Sequence, residues 1–547
     1  VAITLLSTSS VRSTSGTAIV DGRGNAVVTI NAGAVVNGSI SLGAGNDTLN
    51  IMAGASLAGV TALSGGSGSF VDTLNINAGV AGAISDWEII NVNAGGGNFT
   101  ISGAISGAGT LTKTGAGAVT LSGANSFSGG TTISSGTLIG NTQSFGTGNI
   151  VNNASLVLDQ ATDASFAKLI SGTGSLTKAG AGALTLTAIN SFSGGTTITS
   201  GTLIGNTQNF GTGAIVNNAS LVIDQATDAS FGSLISGTGS LTKTGAGAVK
   251  LTAINSFTGG TTISAGSLIG NRQNFGTGAI VNNASLVIDE ATDTSFGLVI
   301  SGTGSLTKIG AGAVTLTGAN SFTGGTTISA GSLIGNTQSL GTGNIVNNAS
   351  LVFDQSTAGS FGGGISGTGS LTKTGAGALT LTGVSSFSGG TTIASGSLIA
   401  SSQSLGTGPI VNNTSLVLNQ TSDGSFGGVI SGAGTLTKSG AGAVTLTGVN
   451  SLTGATTVTA GRLNVRGSLA RSAMTLQSGS SLGGNGTVGS LTAQSGSTVS
   501  PGNSIGTLTV NGNLTLAAGS LLAIEVAPSG ADMVTVTGTA NLAGNLT

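Results

Sequence analysis

The sequence predicts an all-β chain wound as a right-handed parallel β-helix, with about three coils in each 65-residue repeat. Three observations predict it. Lys113, Lys178, Lys243, Lys308, Lys373 and Lys438 recur at one constant step without insertion or deletion, each inside Leu-Thr-Lys-x-Gly-Ala-Gly-Ala. A register kept through every copy means that each copy stacks on the next. Apolar residues arrive in short bursts alternating with Thr or Ser, as in Ala118-Val-Thr-Leu121 and Ser155-Leu-Val-Leu158, which is the period of a strand. Turn chemistry such as Gly115-Ala-Gly117, Gly129-Gly130 and Asn152-Asn153 closes each burst in a corner rather than a long loop.

Composition supports the same reading. With 100 Gly among 547 residues and many β-branched side chains, helix is disfavoured throughout. Heavy Gly and Ser usage alone would suggest a disordered tract, but 38% hydrophobic residues and a mean hydropathy of +0.42 oppose that. A sandwich of antiparallel strands would not need an identical period, whereas stacked coils do. At roughly 20 to 22 residues per coil, the 65-residue unit is three coils.

Residues 1–105 read as irregular N-terminal coils, with strands expected at 27–30, 49–51, 74–76 and 89–92. Trp87, between Asp86 and Glu88, reads as a wedge in one of these coils, the alternative being a surface contact.

Residues 106–454 form the repeat array. Phe127, Phe192, Phe257, Phe322 and Phe387 keep the same step, with Leu452 in the sixth place, and Phe166, Phe231, Phe296, Phe361 and Phe426 form a second series. These rings are expected to point inward, each adding about 1.5 to 3 kcal/mol when fully buried. Asp159, Asp224, Asp289 and Asp354 recur in the same way, replaced in the fifth copy by Asn419. The Asn pairs from Asn152-Asn153 to Asn412-Asn413 are read as corner residues in a left-handed conformation, the alternative being a ladder of side-chain amides. The six lysines are read as solvated corner residues that discourage lateral aggregation, the alternative being a row facing an acidic partner.

Residues 455–547 break the period where a solenoid needs a cap, with Pro501, Gly502 and Asn503 at the centre of the distinctive segment.

The chemistry is sparse. The chain has no His and no Cys, so His general bases, Cys nucleophiles and Cys/His metal sites are excluded. The Ser, Lys and Asp residues of the array recur in every copy, which fits framework or surface roles rather than one unique catalytic pocket. No catalytic residue and no cofactor are expected. Gly43-Ala-Gly-Asn-Asp-Thr-Leu49 matches part of a calcium-binding nonapeptide and makes Asp47 a metal candidate. The next acid, Asp72, is displaced by two positions, which favours a plain solenoid corner at Asp47. A balance of 14 Lys and Arg against 16 Asp and Glu, net −2, argues against nucleic acid as a partner. No apolar run reaches the 18 to 20 or so residues of a membrane helix.

The stretch Gly109-Thr-Leu-Thr-Lys-Thr-Gly-Ala-Gly-Ala-Val-Thr-Leu-Ser-Gly-Ala-Asn-Ser-Phe-Ser-Gly-Gly-Thr-Thr-Ile133 resembles the passenger-associated transport repeat of Gram-negative autotransporters (type V secretion), and its versions recur through Val458. Ser495-Gly-Ser-Thr-Val-Ser-Pro-Gly-Asn-Ser-Ile-Gly-Thr-Leu-Thr-Val-Asn-Gly512, followed by Leu522-Ala-Ile-Glu-Val526 and Asp532-Met-Val-Thr-Val536, is similar to the C-terminal autochaperone-like module that precedes the outer-membrane barrel of that family. The resemblance implies a role in folding after export for this module. It also implies a bacterial cell-surface or extracellular location, anchored through a translocator barrel not present in these residues. The ending at Thr547 lacks barrel strands and the start at Val1 lacks a leader, so the chain is expected to be a mature or excised passenger. Zero cysteines are permissive for export unfolded. The expected function is an adhesin-like stalk binding host or bacterial surface molecules or itself, with no catalysis. The alternative is a surface-layer or filament component, or a spacer for another functional domain.

Overall fold

The computed structural model describes residues 1–502, 504–528 and 530–547. Every regular element among the described residues is a β-strand, and all named strand pairs but one are parallel. The chain divides into two compact units, Val1–Leu268 with Gln273–Gly278, and Ile269–Arg272 with Ala279–Thr547. Each is a parallel β-solenoid, as the alternating bursts and tight corners predict.

From Thr110 onward in the first unit, strands and corner segments fall on three faces taken in rotation. On one face, Leu111 pairs with Thr131, Thr131 with Ile150 and Ile150 with Ile170. On the second, Val119 is followed by Leu138, Leu156, Leu176 and Thr196. The third carries Ile105, then Asn125, which donates to the Ser144 carbonyl, then Phe145 edge-on to Phe166, which pairs with Leu186.

One repeat supplies ten such segments, eight strands from Thr110–Thr114 to Ile170–Ser171 and the two corner segments around Asn125 and Ser144. Ten segments on three faces make three and one third coils rather than the expected three. Each corner closes a little more tightly than the assumed coil length allows, so a full turn uses less chain. Each copy is consequently turned by a third of a revolution from the one before. Leu111, Leu176 and Leu241 occupy three different sheets, and in the second unit so do Leu306, Leu371 and Leu436.

Outside the array the coil length varies. Successive partners on the first face are Ala2, Val27, Thr48, Thr73, Ile89 and Thr110, so the coil from Thr73 to Ile89 is much shorter than its neighbours. Toward the other end the partners run Thr456, Met474, Leu491, Leu514 and Ala540, and the coils lengthen after Leu491. The one antiparallel pair, Val526–Ala527 with Gly530–Ala531, lies inside the longest of these, between Leu514 and Ala540.

The core follows the alternation. Phe127, Phe192, Phe257, Phe322 and Phe387 are fully buried, as are Leu452 and Trp87, and the second Phe series is buried as well. Trp87 is a wedge, its indole N–H donating to the Leu63 carbonyl at 3.2 Å. Rings are also exchanged between positions. Phe145 meets Phe166 and Phe210 meets Phe231 at 6.3 and 6.1 Å between centroids. In the fourth copy Leu340 stands in the place of Phe145, and Phe353, where the first copy has Leu158, meets Phe361 at 5.3 Å instead.

Candidate functional site

The most repeated polar feature is internal. The side chain of Lys113 follows an inward-facing position, between Val92 and Ile133 on the adjoining coils. It is fully buried, and its Nζ donates to the carbonyls of Thr114, Gly115 and Ser135 at 2.7, 2.8 and 3.1 Å. The first two carbonyls belong to its own corner, where Gly115 takes φ 76°, and the third to the next coil. Lys178 repeats the arrangement with Ala179, Gly180 and Ser200, and Lys438 with Ser439, Gly440 and Ala460. Lys243, Lys308 and Lys373 do the same. The reading as solvated corner lysines is therefore overturned, and so is the row facing a partner, since each lysine spends all three ammonium protons on backbone oxygens. Burial lowers the pKa of all six below the ordinary lysine value, while Asp159, Asp224 and Asp354 push Lys178, Lys243 and Lys373 back up.

Internal lysines change the outer charge. Residues 106–454 carry nine carboxylates, of which Glu290 is buried, and, apart from the six caged lysines, only Lys168, Lys250 and Arg272 as bases, so 3 − 8 leaves −5 on the outside. The array is acidic on the outside, although the whole chain carries only −2.

The Asn pairs also work inside the stack. Asn152 is buried, its Nδ2 donating to the Ser175 carbonyl at 2.8 Å and its Oδ1 accepting from the Ala154 N–H, while Asn153 Oδ1 accepts from the Thr173 N–H on the next coil. Neither takes a left-handed conformation. Asp86, with φ 60°, is the one non-glycine residue at positive φ among the described residues. The left-handed reading is thus corrected: these amides bind backbone across the corner because the tight coil leaves N–H and C=O groups there without strand partners. A ladder of side-chain amides does exist, but in the N-terminal coils, running from Asn91 to Asn75 to Asn50 and on to Thr29. The recurring Asn-Ser-Phe phrase held a further role, for Asn125 Oδ1 accepts from Ile105 N–H on one coil while its amide donates to Ser144 on the next.

Asp47 is fully buried, and its Oδ1 accepts from the Ala26 N–H at 2.6 Å. Its own N–H donates to Asp72 Oδ1 at 2.7 Å, and the Asp72 N–H donates to Glu88 Oε2 at 2.8 Å. The three acids are stacked on successive coils, each satisfying a backbone donor of the coil before, which is the corner role. Desolvation raises the pKa of Asp72, with the charges of Asp47 and Glu88 adding to it. No group of three or more metal-binding side chains is arranged around an ion position among the described residues.

At the other end, Gly502 takes φ 77°, and Pro501 and Gly502 lie on the coil formed by Gly484. Arg462 crosses the intervening coil to donate from Nη2 to the carbonyls of Ser500 and Gly502, with Nε held by Asn464 Oδ1 at 2.6 Å. Asp532 pins the following turn through the N–H groups of Gly506 and Glu525, at 2.9 and 3.0 Å. Arg462 escaped the sequence reading because it lies outside the Pro-Gly segment, and Asp532 was read only as the start of a module strand, not as the residue that holds the turn. Asn503 lies outside the described residues.

The family model described as Passenger-associated-transport-repeat matches residues 111–139, 176–204, 241–269, 306–334, 371–400 and 436–465. The chain carries the repeat array of an autotransporter passenger. Each match opens on the strand that carries a caged lysine. The passenger is also similar to the adhesin BmaC autotransporter of Brucella suis biovar 1 (strain 1330), 34% identical over 178 residues, covering 26% of this chain and 5% of that protein. It thus spans about a twentieth of the length of that relative. No solved structure matches it. Among the described residues, no helix is long and apolar enough to cross a membrane.

Proposed function

We propose that the passenger acts as an adhesin-like stalk at the bacterial surface, meeting host or bacterial surface molecules, or further copies of itself, through contacts distributed along the array. The observation that carries this reading is the one-third turn between copies. In the first unit alone three copies present the same outward side chains on three different faces, as Thr112, Thr177 and Thr242 do, so repetition supplies contacts in every direction rather than one composite pocket. Similarity to an adhesin supports it. The passenger has no catalysis of its own in this reading, and it is held to the outer membrane by a translocator barrel belonging to the full-length protein. Residues from about 455 onward act as the folding module, with Arg462 and Asp532 fixing its irregular turn.

The test is a surface-display strain lacking residues 111–435, five of the six copies, compared with the intact protein for cell adhesion and for self-aggregation. Loss of adhesion with the barrel and the C-terminal module still displayed is the expected result. Unchanged adhesion and aggregation would leave the spacer reading.

A further inference from the structure

The fifth copy carries a groove of about 310 Å³, open along one side, where the corners after the strands Ala378–Leu381, Ser397–Ala400 and Ser415–Asn419 diverge. Its floor is apolar, made by Leu381, Ile399 and Ala400. Two linked substitutions shape that floor. A Cβ at Gly140, the first-copy counterpart of Ala400, would lie 2.9 Å from the ring of Phe145, and the fifth copy has Leu405 in place of that ring.

The walls are uncharged. Thr382, Ser404, Thr421 and Ser422 present hydroxyls, and Gln403, Asn419 and Gln420 present amides, with no acidic, basic or aromatic residue among the lining groups. Asn419 is the telling position, because the four preceding copies hold Asp159, Asp224, Asp289 and Asp354 there. In the fourth copy Gln355 Nε2 donates both to Thr337 Oγ1 and to the Thr357 carbonyl. In the fifth copy Gln420 Nε2 keeps only the bond to the Ser422 carbonyl, and Ser402 Oγ, the counterpart of Thr337 Oγ1, is buried without a partner. The Gln420 amide is thereby held by one bond fewer than its fourth-copy counterpart.

The geometry points to a binding subsite for a neutral carbohydrate, one or two sugar rings long. An ionic ligand would find no counter-charge in the groove, and a purely apolar one would leave its amides and hydroxyls unpaired at a cost. A sugar ring offers what the walls ask for, alternating hydroxyl donors and acceptors around an apolar C–H face that can lie on Leu381 and Ile399. The volume falls at the small end of ligand sites, which matches one or two rings. This inference rests on the adhesin reading and names the ligand class for it.

The test uses the full chain and saturation-transfer NMR with methyl β-galactoside, methyl α-glucoside, N-acetylglucosamine and lactose as probes. At least one should give contacts. Asn419→Asp, a residue four other copies already accept, should weaken that probe about tenfold, the scale of one lost hydrogen bond with an added charge. Thr421→Trp, at an exposed wall position, should abolish it. No contact with any probe, or equal binding by both variants, overturns the subsite. The two readings fail separately. Displayed cells that adhere equally well with Thr421→Trp remove the groove and keep the adhesin, whereas sugar binding by a chain that supports no adhesion does the reverse.

Discussion

Leu176 stacks on Leu156, not on Leu111, its counterpart one repeat earlier. The unit of sequence and the unit of stacking are therefore different lengths, and strands of different phrases, Ser-Leu-Val-Leu and Ser-Leu-Thr-Lys, must fit one another across the coil boundary. An insertion in one copy would break that fit, which accounts for the constant register of the copies.

Removal of residues 176–240 should leave a chain that folds as well as the parent, because Leu241 then meets Leu156, which stands where Leu221 stood. Removal of 111–169 takes out three whole coils, yet it puts Ile170 where Leu111 belongs and should depress the refolded yield sharply. Equal yields from the two deletions would contradict the mixed stacking.

Lys243→Met keeps the aliphatic stem and takes the ammonium donor from the carbonyls of Thr244, Gly245 and Ala265, of which Thr244 still accepts from the Gln225 N–H. At about 1 to 3 kcal/mol for each unsatisfied buried group, partly relieved by water, a local loss of several kcal/mol is expected. Hydrogen exchange across residues 241–267 measures it. In the parent, an amine-reactive label should modify the exposed Lys250 quickly and Lys243 only on unfolding.

The repeat was legible because six copies agree, and its three-faced geometry was not, because the coil length depends on how tightly each corner closes. The coil that brings Leu156 onto Leu138 is shorter than the assumed length, and nothing in the alternation of the strands announces that. The lysine cages were hidden for a related reason: their oxygens come from two corners on different coils, brought together only by stacking. The inward Phe series needed nothing beyond alternation, and it was read correctly.

Phe257→Ala should cost about 3 to 5 kcal/mol, since the ring is fully buried and a Cβ at Gly276 would already sit 2.9 Å from it, so the site has little room to collapse. Exchange should rise first in the coils on either side. Unchanged exchange there would place the energy elsewhere.

Asp72 supplies a pH dependence with a definite sign. Its folded pKa is raised, so the folded state holds the proton more tightly, and this contribution is complete below the unfolded value of 3.8 and lost as pH rises through the folded one. Trp87 is the one tryptophan and sits in the neighbouring coil, so its fluorescence reports these coils alone. The urea midpoint at Trp87 should climb on acidification through the window just above 3.8, and Asp72→Asn should raise the midpoint at pH 7 and flatten the climb.

Deleting residues 455–547 should lower the yield of folded passenger more than deleting one 65-residue copy, and Arg462→Met should reproduce part of that loss by removing the guanidinium that ties its strand to the Ser500 and Gly502 carbonyls. Matching refolding rates for the module deletion and the copy deletion would end the folding-template assignment.

The caged lysines also bear on survival outside the cell. A protease that cuts after basic residues needs an extended stretch of chain with the cation reaching its specificity pocket. Along the whole array, 106–454, the folded surface shows such an enzyme only Lys168, Lys250 and Arg272. A digestive or inflammatory fluid rich in these enzymes would find few places to start, and the array would outlast many proteins around it without a single disulfide.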